Sequence, residues 1–321
     1  MPVEIPKDNW PGVVRKVTLG ATAADGGTRS KTITVGGEKT LPFLAFEGPM
    51  PHRPVVAVEI KDTPPEDWSP VLLKAWGDAI QSPAAWAKAA EAAGADLIVL
   101  ALSVTLKNGQ PNTPAAAVEA VKSVLAATGL PLAVFGPGQA ELDNSLMVAI
   151  AEATKGEKLL LGVCEDKNYR TIVATAMANG HLVTARTPMD VNLAKQLNIL
   201  SHAMGFPLDR VIMDPTTGAL GYGIEYGYSA MERLRLAGLQ GDAMTQLPML
   251  ITPGFEAWKT KESKVGEDVP AAWGDWEKRA INWEILTAST LLHSCADILV
   301  LRHPQSVQQI KAAIEELMSA A

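Results

Sequence analysis

Residues 159–213 read LLLGVCEDKNYRTIVATAMANGHLVTARTPMDVNLAKQLNILSHAMGFPLDRVIM. Three short runs in this stretch, 159–164, 181–185 and 211–213, are apolar along most of their length. A strand with apolar residues at successive positions is buried on both faces, which is the signature of a parallel sheet covered by helices. Between the runs lie 169–179 and 191–204, each of helical length with an amphipathic pattern. The stretch is therefore strand–helix–strand–helix–strand.

The same beat continues in both directions. Further strands are expected at 55–60, 96–102, 132–136, 248–252 and 297–301, and further helices at about 74–93, 114–128, 142–154, 229–240, 277–294 and 304–319. Proline early in a helix (Pro83, Pro114, Pro304) and glycine just before a strand (Gly94, Gly129) mark the boundaries. Eight strands, each followed by a helix, make an α/β chain of the (β/α)8 TIM barrel type. A doubly wound open sheet is the alternative, but eight unbroken units with no second domain favour closure.

Ahead of the barrel, residues 13–37 alternate enough for a β-hairpin, with Ala24-Asp25-Gly26-Gly27 as its turn. Residues 41–54, LPFLAFEGPMPHRP, form a proline-rich linker. The expected organisation is thus 1–54, hairpin and linker, and 55–321, barrel. The widest strand spacing holds an insertion at 254–276, polar yet carrying Trp258, Trp273 and Trp276. These are interface anchors or a local mini-core.

The composition bounds the function. The chain has 321 residues, 47% hydrophobic, and a net charge of −7 with no Lys/Arg cluster, which argues against nucleic acid as a partner. No apolar run is long enough to span a bilayer and MPVEIPKDNW carries no basic, apolar leader, so a cytoplasmic location away from membranes is expected. The two cysteines, Cys164 and Cys295, cannot by themselves hold an iron–sulfur cluster or a structural zinc, and read as buried small apolar residues.

In such barrels ligands meet the carboxyl ends of the strands. The most conspicuous loop there is 214–227, DPTTGALGYGIEYG, whose glycines allow close approach of a ligand. Reactive sets are scarce on this face. The five histidines are scattered without metal-ligand spacing. Asp190 fits a helix N-cap and Asp214 an Asx turn better than they fit an acid–base pair. No G-x-S-x-G is present, and G-x-G at 136–138 lacks the third glycine of a dinucleotide fingerprint. The face is built for holding more than for reacting.

Several stretches together resemble the small subunit of the corrinoid iron–sulfur protein of the anaerobic acetyl-CoA pathway. They include LGAT at 19–22 with GGTRS at 26–30, ARTPMDVN at 185–192 running into KQLNIL at 195–200, DP at 214–215 with GYGIEY at 221–226, LQGD at 239–242 and LRHP at 301–304. The resemblance implies a TIM barrel that pairs with a large subunit and acts as a non-catalytic part of a methyl carrier. A cobalt corrinoid of the cobalamin type would lie at the interface of the two subunits, and the iron–sulfur cluster on the large one. The heterodimer would take a methyl group from a methyltetrahydrofolate-dependent methyltransferase and deliver it to acetyl-CoA synthase. Corrinoid-contact candidates rest on position in the loops: Thr187, Thr216, Thr217, Gly218, Gly221, Tyr222, Gly223 and Gly254. Two other readings compete. One is a pterin-dependent methyltransferase of the same architecture, with Asp190, Asn192 and Asp214 as its available polar set. The other is a structural partner that touches no cofactor.

Overall fold

The structure, a computed structural model, describes residues 4–218, 220 and 223–320. Two strands, β1 (Val17–Leu19) and β2 (Ile33–Val35), form an antiparallel hairpin in the register Val17↔Val35 and Leu19↔Ile33. Eight parallel strands follow: β3 (Val55–Lys61), β4 (Leu97–Ala101), β5 (Leu132–Phe135), β6 (Leu160–Cys164), β7 (Leu182–Arg186), β8 (Val211–Asp214), β9 (Leu250–Ile251) and β10 (Ile298–Leu301). Their order is β8-β7-β6-β5-β4-β3-β10-β9. A parallel bridge between Met213 and Met249, with the Met213 N–H donating to the Pro248 carbonyl at 2.9 Å, joins the two ends and closes the barrel.

The helices wrap the outside: α1 (Pro70–Trp76), α2 (Pro83–Ala92), α3 (Pro114–Ala127), α4 (Ala140–Ala153), α5 (Tyr169–Asn179), α6 (Val191–Ala203), α7 (Glu225–Leu239), α8 (Pro253–Ala257), α9 (Lys261–Lys264), α10 (Trp276–His293) and α11 (Pro304–Ala320). Strand parity divides the apolar residues into two cores. Val56, Val58 and Ile60 of β3 belong to the cluster under the helices, whereas Val55 and Ala57 belong to the barrel interior.

The hairpin closes the bottom of the barrel. Its Val17, Leu19, Ile33 and Val35 share one cluster with Val55, Leu97, Leu160, Leu182, Leu250 and Ile298, which stand at or near the amino ends of their strands. The Gly20 N–H donates to the Lys158 carbonyl and the Ser30 N–H to that of Gly129, both in segments entering strands. Arg29 pins the return of the hairpin. It is buried, with Nη1 donating to the carbonyls of Thr128 (2.6 Å) and Leu130 (3.2 Å), Nη2 to that of Leu125 (2.6 Å) and Nε to Glu157 Oε2 (3.1 Å).

Two expectations are corrected. The single helix expected over 74–93 is two, α1 and α2, separated by a 3-10 turn at Gly77–Gln81. Gly77 has φ 53°, outside the helical region, and Pro83 has no N–H with which to continue a helix through it. The insertion at 254–276 is not an open loop but carries α8, α9 and a 3-10 turn at Ala271–Trp273. Trp258 is 2% exposed and stacks on His303, and Trp276 donates from Nε1 to the Ser263 carbonyl at 2.9 Å. Arg279 lies over Trp273 and donates to the carbonyls of Glu262, Val265, Trp273 and Gly274. The tryptophans bind the insertion to α10, so the mini-core reading holds for Trp258 and Trp276.

Candidate functional site at the carboxyl end of the barrel

The strand parity that sends Ala57 inward also sends Glu59 and Lys61 inward, two and four residues later, at the top of β3. By the same step of two, β10 places Arg302 after Ile298 and Val300, β7 places Arg186 after Leu182 and Thr184, and β8 places Asp214 after Ile212. The barrel mouth therefore carries a layer of charge on an apolar interior. Four of the five charges are paired with one another, and Lys61 stands at the rim. Arg302 pairs with Glu59 through two hydrogen bonds of 3.1 and 2.7 Å, both side chains being buried. Its guanidinium also lies over the rings of Trp68 and Phe255. Arg186 Nε donates to Asp214 Oδ2 at 2.7 Å, and its guanidinium approaches the Phe135 ring. The centre of the mouth is a cavity of about 180 Å³, walled by Val99, Ala101, Phe135, Val163, Val300 and Phe255 and rimmed by Lys61, Arg186 and Gly136–Gly138.

Asp143, on α4, holds one lip of this cavity. Its Oδ1 accepts the Gly138 N–H at 3.2 Å, and it packs so close under Gly136 that a Cβ there would meet Oδ1 at 2.4 Å. Burial pushes its carboxyl up to about 6; the Gly138 and Gln139 N–H groups pull the other way, and nearby Glu165 adds to the rise. Asp143 was not distinguishable in the sequence, because an acid inside a helix normally reads as a solvated position.

Six of the eight expected contact residues fall among the described residues, as do Asp190 and Asp214. Asp190 caps α6, accepting the N–H groups of Asn192 (2.8 Å) and Leu193 (3.0 Å) on Oδ1. Asp214 opens an Asx turn, accepting the Thr216 N–H on Oδ1 at 2.9 Å, while its other oxygen holds Arg186. Thr187 is buried, its N–H donates to the Asp214 carbonyl, and its Oγ1 has no hydrogen-bond partner among the described residues. Thr216, at φ 63°, donates from Oγ1 to the Thr187 carbonyl at 2.8 Å. Thr217 is buried and accepts the Thr252 N–H at 3.0 Å, linking the loops after β8 and β9. Gly218 has φ 76°, and a Cβ there would meet Met189 Sδ at 2.4 Å; Gly223 has φ 107°. Gly254 is buried at the start of α8, where a Cβ would meet Glu284 Oε1 (2.7 Å), the Arg302 nitrogen (2.9 Å) and Leu301 Cα (3.0 Å). Gly221 and Tyr222 lie outside the described residues.

Thr187 and Thr216 are brought together in a second recess. It is a cleft of about 510 Å³ between the loop after β6 and the face of α6. Its floor is Pro188, Leu193, Leu197 and Leu200, and its rim Glu165, Asp166, Lys167 and Arg186. Leu193 and Met189 are 43% and 37% exposed here, an apolar patch beside the mouth.

His303, His181 and both cysteines are buried. His303 stacks on Trp258 and accepts the Gln305 N–H on Nδ1; burial pushes its pKa down to about 4. His181 is fully buried at the other end, with Nδ1 accepting the Leu159 N–H. Cys164 and Cys295 are free and buried, and burial pushes each thiol up to about 12. Among the described residues no three His, Cys, Asp or Glu side chains are grouped to hold a metal ion.

The model of one protein family, described as CO dehydrogenase/acetyl-CoA synthase delta subunit, matches residues 16–314. The acetyl-CoA decarbonylase/synthase complex subunit delta of Archaeoglobus fulgidus is 38% identical over 97% of this chain and 70% of its own length. The protein of the same name from Methanopyrus kandleri is 36% identical over 95% of this chain and 75% of its own. The chain belongs to this delta-subunit family. That is the family of the corrinoid iron–sulfur protein small subunit, to which the stretches around ARTPMDVN and GYGIEY pointed. Among solved structures the family's barrel is similar to dihydropteroate synthases. The Xanthomonas albilineans enzyme with 4-aminobenzoic acid gives a TM-score of 0.57 at 15% identity over 84% of this chain and 95% of that one. The Thermus thermophilus enzyme gives 0.53 at 17%, over 83% and 94%. At such identities the likeness is one of fold. In this delta-subunit chain the pairs Glu59–Arg302 and Arg186–Asp214 were not among the expectations from the sequence. The signal was present for three of the four: Glu59, Arg302 and Asp214 each stand two positions beyond an interior apolar residue, whereas Arg186 follows Thr184.

Proposed function

We propose that this chain is the non-catalytic small subunit of a heterodimeric methyl carrier. Its barrel mouth covers a cobalt corrinoid held by a large subunit. One observation carries the reading. The innermost charges at the mouth are paired as Arg302–Glu59 and Arg186–Asp214, and Asp190 is a cap, so the mouth presents apolar wall and Gly/Thr loop with Lys61, Glu165, Asp166 and Lys167 at its rim. Such a surface approaches a flat macrocycle closely and offers hydroxyl and backbone groups to its polar edge. The residues that would hold the corrinoid are Thr187 and Thr216 in the cleft, with Thr217, Gly218, Gly223 and Gly254 in the loops of the same face; Gly221 and Tyr222, outside the described residues, are proposed on their place in the sequence alone. The corrinoid supplies the cobalt that carries the methyl group; this chain orients it and excludes water. With two cysteines this chain has fewer thiolates than a cluster needs, which supports an iron–sulfur cluster on the large subunit. The methyl donor would be a methyltetrahydrofolate-dependent methyltransferase and the acceptor acetyl-CoA synthase, in the cytoplasm. No helix of the described residues is long and apolar enough to cross a membrane.

Co-expression with the large subunit tests this. The expected result is a heterodimer with equimolar cobalt whose corrinoid is shielded from small alkylating agents more than in the large subunit alone. Equal shielding in the two preparations, or micromolar methyltetrahydrofolate binding with turnover by this chain alone, would overturn the reading in favour of a structural partner or a pterin enzyme respectively.

A further inference from the structure

The throat of the barrel, below the loops, has donors to spare at its rim. Arg186 reaches Asp214 through Nε alone, at 2.7 Å, and its Nη1 and Nη2 have no hydrogen-bond partner among the described residues. Neither nitrogen is sealed off, since the side chain keeps 28% of its surface exposed and lines the central cavity. Lys61 lines the same cavity, half-buried and in no ion pair among the described residues. Guanidinium and ammonium groups only donate, so an acceptor completes them. The acids of the mouth are already engaged. Glu59 gives both oxygens to Arg302, and Asp214 gives one to Arg186 and the other to the Thr216 N–H. Asp143 lies beneath the loop at 136–138 on the Gly138 N–H, and Glu165 borders the neighbouring cleft.

The surroundings select the kind of acceptor. A phosphate is cradled by free backbone N–H groups, and the loop over the cavity has few to give. The Gly136 N–H donates to the Gly162 carbonyl at 2.8 Å, the Gly138 N–H to Asp143 at 3.2 Å, and Pro137 has none. The two Nη nitrogens of one guanidinium form a planar fork that matches the two oxygens of a carboxylate. Below them the walls are Val99, Ala101, Phe135, Val163 and Val300, which favour a tail that gains by leaving water. The cavity of about 180 Å³ equals about six water molecules at about 30 Å³ each, the space of an acid with roughly six non-hydrogen atoms.

We propose that Arg186 and Lys61 form a binding site for a short-chain monocarboxylate, its head on the two cations and its tail in the apolar throat. A corrinoid is far too wide to enter this space, so the site goes beyond the reading of the mouth as a cover and does not depend on it. Arg186 borders the cleft beside α6 as well, whereas Lys61 belongs to the cavity alone, so Lys61 decides which recess holds the acid.

The test is calorimetric titration of the full chain, free of cofactor, at low ionic strength and near-neutral pH, with butyrate, acetate, butyramide and inorganic phosphate. Butyrate should bind about tenfold more tightly than acetate, because two further CH2 groups are buried, and about tenfold more tightly than butyramide or phosphate. Lys61→Met keeps an unbranched stem and removes the charge; it should weaken butyrate about fivefold. Arg186→Lys keeps a cation for Asp214 but loses the fork, and should weaken butyrate more than Lys61→Met does. Circular dichroism checks that each variant is folded, and Lys61→Met, at a half-buried position, decides the matter if Arg186→Lys is not. No butyrate binding up to about 50 mM, well above the range of a millimolar site, overturns the proposal. So does equal binding of butyramide, tighter binding of phosphate, or a Lys61→Met chain that binds butyrate as well as the parent.

Discussion

Asp143 shows how one side chain couples the mouth to pH. Its folded pKa of about 6 lies above the 3.8 of a free aspartate, so between those values the folded chain holds a proton that the unfolded chain has lost. Stability from this group is therefore full below pH 3.8 and declines as pH rises through 6. Asp143→Asn keeps an oxygen for the Gly138 N–H and removes the titration. The variant should gain on the order of 1–2 kcal/mol relative to the parent at pH 7.5, discounted for the solvent-open loop, and little at pH 4, as measured by denaturant unfolding. A difference independent of pH would show that Asp143 does not titrate in this way. Gly254 makes a contrasting residue-scale case. Its neighbours at 2.7–3.0 Å are partly backbone, which cannot move aside. Gly254→Ala should lower stability by about 1–3 kcal/mol through overpacking. A neutral Gly254→Ala would mean that α8 shifts freely off β10. Both residues sit in the loops and helices around the mouth, yet only Gly254 stood out in the sequence; a buried carboxylate beneath a turn has no one-dimensional signature.

Among the elements, the hairpin is the one whose role depends most on its surroundings. Its strand pattern and turn were legible at 13–37, though the paired segments are the shorter Val17–Leu19 and Ile33–Val35. That it caps the interior of the barrel follows only from where Val17, Leu19, Ile33 and Val35 come to rest. Arg29 carries this docking, since its guanidinium satisfies three carbonyls and a carboxylate that are shielded from water. Arg29→Ala would strand Glu157 in a buried position and should cost about 3–5 kcal/mol, read from the urea midpoint at constant slope. A loss below about 1 kcal/mol would place Arg29 among exposed ion pairs of little weight. The helices show the opposite dependence. Their starts at Pro114 and Pro304 were plain from local chemistry, while the break between α1 and α2 was also written locally, in Gly77 and Pro83, and was overridden in the reading by the continuous apolar pattern around it.

For the molecule as a whole, one interior cluster runs from the hairpin through all eight barrel strands. Residues 1–54 and 55–321 are best proposed as two segments of one cooperative unit. Far-UV and near-UV circular dichroism should then report the same unfolding midpoint for the chain by itself, with no populated intermediate in which the barrel stands and the hairpin is released. Separated midpoints would make the hairpin an independent module. The same interior explains the mouth. Because the lower layers are filled by Val, Leu and Ile and by the hairpin plug, the charged top layer of Glu59, Arg186, Asp214 and Arg302 is held on a rigid base.

The sequence by itself determined the barrel and its eight strands, the hairpin ahead of it, and the family. All of these depend on local periodicity, turn residues and motifs, which act over a few neighbouring positions and survive in one dimension. Only the tertiary structure decided the pairing of Arg302 with Glu59 across 243 positions, the burial of Asp143 beneath Gly136, and the meeting of Thr187 and Thr216 in one cleft. The physical reason is that ion pairing, desolvation and the satisfaction of a lone hydroxyl depend on distance in space, and closing a barrel makes neighbours of residues that the chain keeps far apart.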